Sequence, residues 1–165
     1  YQRHPPVPDR LVRGAAVRIL IDADGCPVVR LAAAVAREYA LECLIVCDTA
    51  HTLEESGAVT LTVSKGADSV DFALVNRLRP GDLVVTQDYG LAAMCLARRA
   101  RALSQNGMEY TGDNIDALLL QRHTAGKLRK GGGRLKGPPK RTADQNRAFE
   151  QALRRMVEQG PAARL

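Results

Sequence analysis

The sequence predicts an α/β fold, with three layers and a mainly parallel sheet of about five strands between helices. Three observations carry that expectation. Short apolar runs of strand length alternate with longer segments of helical spacing. Hairpin signals are few, so successive strands need crossover connections and run parallel. Aspartates recur where the apolar runs end: Asp22 and Asp24, Asp48, Asp68 and Asp71, then Asp88. In an open parallel sheet those ends share one edge, and ligands bind there, near the point where strand order reverses.

The elements follow in order. Residues 1–16 read as a tail that begins at Tyr1 and lacks the apolar core of a signal peptide. Residues 17–123 read as the α/β domain. Its first strand, "VRILI" (Val17 to Ile21), leads through "DADGC" to a helix opening at Pro27, where a missing N–H costs nothing. The second strand is "LECLIVC" (Leu41 to Cys47) and the third "VTLTVS" (Val59 to Ser64). A helix capped by Asp68 then runs to Leu78 and stops before Pro80 and Gly81. "DLVVTQ" (Asp82 to Gln87) is the fourth strand, followed by an alanine-rich helix from Leu91. A short fifth strand spans Arg101 to Ser104, and a helix from about Asn114 to Arg122, with Asp113 as its cap, completes the domain. Residues 124–141 form a basic, Gly- and Pro-rich segment. Residues 142–160 read as a C-terminal helix packed on the core: Thr142 and Gln145 have capping-box spacing, and Phe149, Leu153, Met156 and Val157 make one apolar stripe.

A length of 165 residues suits a single domain with a useful core. With 45% apolar and 25% charged residues the composition is that of an ordinary globular protein. No apolar run reaches the roughly 20 residues needed to span a bilayer, so no membrane is expected and localisation defaults to the cytoplasm; no dinucleotide cofactor is expected either. The four cysteines, Cys26, Cys43, Cys47 and Cys95, lie within apolar segments, which predicts free thiols. The net charge of +6 is unevenly spread. Between Arg122 and Arg141 there are eight Lys or Arg and no acid. Such a segment can follow a phosphate backbone, through Lys127, Arg129, Lys130, Arg134, Lys136, Lys140 and Arg141, or can be a solvated linker. Lys65 in "SKGAD" is a further candidate for a phosphate contact.

The acids carry the chemistry. Asp22 and Asp24 are two residues apart and share a side in extended backbone; Asp68 and Asp71 share a helix face. With Asp88 they make a candidate pocket of five carboxylates. Like charges that close repel unless a cation compensates, and an all-oxygen ligand set selects Mg²⁺ or Mn²⁺ over zinc. Metal-held Asp22, Asp24 and Asp88 are the candidate catalytic group, with Thr86 in support, for hydrolysis of phosphodiesters, RNA foremost. Taken singly, several of these acids have plainer uses as caps or turn residues. Two carboxylates at one strand end exceed what a helix start needs. Cys26, near a helix N-terminus but with no His nearby in sequence, reads as a small packed side chain, and His51 and His123 read as surface residues.

The stretches "IDADGCPV", "VSKGADSVDFALVNRLRPGDLVVTQDYGLAA", "YTGDNIDALLLQR" and "GPPKRTADQNRAFEQAL" resemble, in this order, the YaiI/YqxD family of uncharacterised bacterial proteins. Family members more often carry Ala where this chain has Gly25, a change that is expected to leave the acids undisturbed. The resemblance implies a PIN-like fold, the architecture of many metal-dependent ribonucleases, with Asp22, Asp24, Asp68, Asp71 and Asp88 as the acidic site and Asn114 as a further member. Two rival readings remain. "LIDADG" is similar to the opening motif of haloacid-dehalogenase phosphatases, with Asp22 as nucleophile and Asp24 as acid and base, although Cys26 stands where Thr or Ser is usual. The other rival is a non-catalytic module that binds RNA or metal. An aromatic content of 4% speaks against a base-stacking platform.

Overall fold

The computed structural model describes residues 17–48, 53–66, 69–130 and 140–160, with the backbone alone for 122–130. The order of elements is β1 (Ile19–Asp22), α1 (Val29–Glu38), β2 (Cys43–Asp48), β3 (Val59–Val63), α2 (Ser69–Val75), β4 (Leu83–Val85), α3 (Tyr89–Ala97), β5 (Arg101–Leu103), β6 (Glu109–Tyr110), α4 (Gly112–Lys130) and α5 (Ala143–Gln159). The tail 1–16, His51, Asp68, Arg134 and Lys136, and the side chains of His123, Lys127, Arg129 and Lys130, lie outside the described residues.

Six strands form one sheet in the order β3-β2-β1-β4-β5-β6. The first five are parallel, and β6 alone is antiparallel, to β5. From β1 the chain builds outward through β2 and β3, then returns to the other side of β1 with β4. Strand order therefore reverses between β1 and β4, and the carboxyl ends of these two strands flank the crevice where such sheets place ligands.

Alternation along the strands sorts the core into two halves. Ile19, Ile21, Ile45, Leu83, Val85 and Leu103 point to the face covered by α1 and α5. Leu20, Val46, Val84, Ala102 and Tyr110 point to the face covered by α2, α3 and α4. The expected three layers are present. Helix α5 packs as its stripe predicts, with Phe149, Leu153, Met156 and Val157 buried, and Thr142 and Gln145 complete a capping box. All four cysteines are free thiols. Among the described residues no helix is long and apolar enough to cross a membrane.

Three details differ from the sequence expectation. A β5–β6 hairpin is present, turned by Gly107 at φ 88° with Ser104 N–H on the Met108 carbonyl at 2.8 Å. Its second strand has two residues, too few to show alternation. Helix α4 continues past Arg122 to Lys130, so the start of the basic segment is helical. At the head of α4, Thr111 and Asn114 serve as the reciprocal pair: the Thr111 N–H donates to Asn114 Oδ1 at 2.9 Å and the Asn114 N–H to Thr111 Oγ1 at 3.3 Å. That arrangement takes the capping place expected of Asp113, because the helix already begins at Gly112.

Candidate functional site

The site is built from the ends of β1 and β4. After Asp22 the ladder continues one residue, the Ala23 N–H reaching the Val46 carbonyl at 3.0 Å. The chain then turns, closed by the Cys26 N–H on the Ala23 carbonyl at 3.0 Å, with Gly25 at φ 69° in the third position. A type II turn requires a positive φ there, which is the use of this glycine. Because the strand has ended, the two-residue rule no longer applies to Asp24. Its carboxylate instead accepts the Asp48 N–H at 3.3 Å, tying the turn to the end of β2.

On the β4 side the central residue is Thr86, fully buried. Its hydroxyl donates to Asp22 Oδ2 at 2.7 Å and accepts the Asp88 N–H at 3.0 Å. Asp88 Oδ1 in turn accepts the Leu91 N–H at 3.1 Å and caps α3. One hydroxyl therefore couples the two acid-bearing strand ends. The β5–β6 hairpin supports this segment from outside: the buried Tyr110 hydroxyl donates to the Thr86 carbonyl at 3.1 Å, and the Gln105 N–H donates to Gln87 Oε1 at 3.0 Å.

Burial is the main force on Asp22 and pushes its carboxyl above the ordinary carboxylate range. The Thr86 hydrogen bond opposes that rise, while the charges of Asp88 and Asp24 add to it. Asp22 therefore shares its surroundings with both acids that the sequence groups with it. Asp71 lies in the first turn of α2. Its charge and that of Asp22 both bear on the buried Cys95 thiol, which burial chiefly, with these acids and Asp82, pushes up to about 12. Cys26 is also raised, to about 11, mainly by burial. A protonated thiol is a poor nucleophile, and packing against the α1 side of the core accounts for Cys26.

Other candidates fall elsewhere. Lys65 is exposed just after β3, and Lys140 is exposed ahead of α5. Asn114 spends its amide at the head of α4, its Nδ2 donating to the Glu109 carbonyl at 2.8 Å, because the capping spacing with Thr111 claims it. The Arg141 guanidinium bonds to Asn146, Asn106 and Gln105 of this chain. Among the described residues no three His, Cys, Asp or Glu side chains come together as a metal-holding group. Tyr110, Gln105 and Gln87 were not singled out from sequence. They act through a hairpin that a two-residue strand does not announce.

The YaiI/YqxD family, described as uncharacterised, matches residues 20–159. The chain belongs to it. A UPF0178 protein of Exiguobacterium sibiricum is 53% identical over 141 residues, covering 86% of this chain and 96% of the relative. A UPF0178 protein of Clostridium acetobutylicum is 44% identical over 146 residues, 87% and 99% of the two chains. One from Ruminiclostridium cellulolyticum is 44% identical over 137 residues, 83% and 90%. No solved structure matches the chain.

Proposed function

We propose that this member of the YaiI/YqxD family is a divalent-metal-dependent nuclease that hydrolyses phosphodiesters, with RNA as substrate. The observation that carries the reading is Asp22. It is a carboxylate driven toward its neutral form by burial, coupled through one hydroxyl to the Asp88 strand end and sharing the field of Asp24. It stands at the β1/β4 switch point of a parallel sheet. Such a group gains most from a cation. The donors are hard oxygens, which fit Mg²⁺ or Mn²⁺; Asp22, Asp24 and Asp88, with Asp71 of α2 and with Asp68, which lies outside the described residues, would have to draw together to hold the ion. When bound, the metal supplies an activated water and charge stabilisation at the phosphoryl group. This chain's own part is to fix the carboxylates: Thr86 holds Asp22 against rotation, and the α3 N-terminus holds Asp88. The basic residues from Lys127 to Arg141 would carry substrate phosphates.

The test incubates the purified chain, Asp22→Asn and Asp88→Asn with RNA, DNA and a small phosphomonoester, in Mn²⁺, Mg²⁺ or chelator. RNA cleavage that needs metal and disappears in both variants is the expected result. Turnover of the monoester alone would assign the site to a phosphatase, and RNA binding without cleavage under every condition would leave a binding module.

A further inference from the structure

Arg141 ends the basic segment, and its guanidinium is fixed in place. Nε donates to Asn146 Oδ1 at 2.6 Å, one terminal nitrogen to Asn106 Oδ1 at 2.8 Å, and the other to the Gln105 carbonyl. All three acceptors are neutral. The side chain is thus immobilised by partners that carry no charge. A guanidinium has five N–H groups, and these three bonds engage three of them.

Other arginines of the molecule are treated differently. Arg18 is paired with Asp82, Arg154 with Glu38 and Glu150, and Arg101 is buried with Glu109 beside it. Arg141 is only half-buried, and it stands at the acid-bearing edge. The Gln105 carbonyl that accepts from it belongs to the residue whose N–H holds Gln87, between Thr86 and Asp88. Its charge bears on the Cys26 thiol, which also feels Asp22. A guanidinium held rigidly by neutral acceptors, presenting planar donors, suits the grip of a phosphate.

We propose that Arg141 seats a phosphate group of the nucleic-acid substrate beside the carboxylates, a proposal that rests on the nuclease reading of the acidic edge. The seated group is either an internal backbone phosphate or a 5′-terminal one. The test measures binding of the full chain to a 3′-fluorescent RNA oligonucleotide by anisotropy, in chelator so that nothing is cleaved. The oligonucleotide carries either a 5′-phosphate or a 5′-hydroxyl, and the titration is repeated across salt concentrations. Arg141→Gln is expected to weaken binding about tenfold and to lower the salt slope by about 0.7, the share of one phosphate on a single strand. Equal losses with both oligonucleotides identify an internal phosphate; a loss confined to the 5′-phosphorylated one identifies the terminus. Unchanged affinity and slope overturn the proposal.

Because Arg141→Gln also unties α5 from the hairpin, the wild-type chain supplies a second measurement. The Arg141 Nε–H resonance should shift saturably on titration with inorganic phosphate, and a resonance that stays put overturns the seat. Phosphate binding at Arg141 without metal-dependent cleavage would remove the nuclease reading and leave the seat. Cleavage with an Arg141 indifferent to phosphate would do the reverse.

Discussion

The two edges of the sheet handle buried charge in opposite ways. At the amino edge, Asp82 at the head of β4 meets Arg18 at the head of β1 in a two-pronged pair, 3.0 Å and 2.6 Å, and also accepts the Arg79 N–H at 2.7 Å. Arg101, buried at the start of β5, donates to the Met156 and Gly160 carbonyls and closes the C-terminal end of α5. At the carboxyl edge of the same two strands, buried Asp22 is held by a hydroxyl and shares its field with two more acids. One edge neutralises what it buries. The other sets a buried carboxylate in the field of like charges, which is the contrast that the proposed reading of this edge as a site rests on.

The largest effect that tests this contrast belongs to the amino edge. Asp82→Ala leaves the mostly buried Arg18 guanidinium without its counter-charge, and should lower stability by about 3 kcal/mol, read from the urea midpoint. On the proposed nuclease reading, any cleavage per folded molecule should be unaffected, since the pair stands at the far end of β1 and β4. A loss below about 1 kcal/mol would mean that the pair behaves like a surface one and that the amino edge is not closed by charge.

Next in size is Gly107→Ala. Gly107 sits at φ 88°, and a Cβ there would come within 2.5 Å of the Ala148 carbonyl oxygen on α5. Strain and overlap together should cost about 2 kcal/mol, measured by the same denaturation. Amide exchange should quicken first at Ser104 and Gln105, whose N–H groups the hairpin holds on the Met108 carbonyl and on Gln87 Oε1. Exchange that quickens evenly over the whole sheet would detach the hairpin from the carboxyl edge.

Much of this was legible in the sequence, and for a physical reason. Parallel strands buried on both faces are written as plain apolar runs, so β1, β2 and β4 stand out, and parallelism puts their trailing aspartates on one edge. The α5 stripe and capping box are local signals, and the fold uses both. What was not legible is long-range. Thr86 lies 64 positions from Asp22, and nothing local marks it as that acid's partner. Tyr110 reads as one more apolar residue until a two-residue strand places its hydroxyl on the Thr86 carbonyl. Asn114 runs the other way: the resemblance groups it with the acids, while the structure shows the local use, its amide engaged at the start of α4.

Thr86→Val removes a buried hydroxyl at nearly constant volume and should cost about 1 kcal/mol, because Asp22 Oδ2 and the Asp88 N–H both lose it. Thr86→Ser should recover most of the loss. If the hydroxyl positions the carboxylates, Thr86→Val also weakens Mn²⁺ binding, followed by the paramagnetic relaxation of solvent water, and Thr86→Ser restores it. Equal Mn²⁺ affinity in all three proteins would reduce Thr86 to a packing residue.

The smallest effect has the opposite sign, and it bears most directly on the contrast. Burial holds the Asp22 carboxyl above its ordinary value, so the folded chain keeps that proton to higher pH than the unfolded chain does. The sign follows from linkage. The contribution to stability is whole below the unfolded value of about 4 and is lost as pH rises through the folded value. At neutral pH, well above the unfolded value, the metal-free protein therefore bears the cost of burying Asp22. Asp22→Asn removes the charge and keeps an oxygen that can accept from Thr86, so the metal-free variant should melt above wild type at neutral pH. The advantage should vanish below about pH 4, where both side chains are neutral, and Mn²⁺ should raise the melting temperature of wild type alone. An Asp22→Asn protein that melts below wild type at every pH would mean that the carboxylate is as well compensated as Asp82, and the two edges would differ only in which partner supplies the compensation.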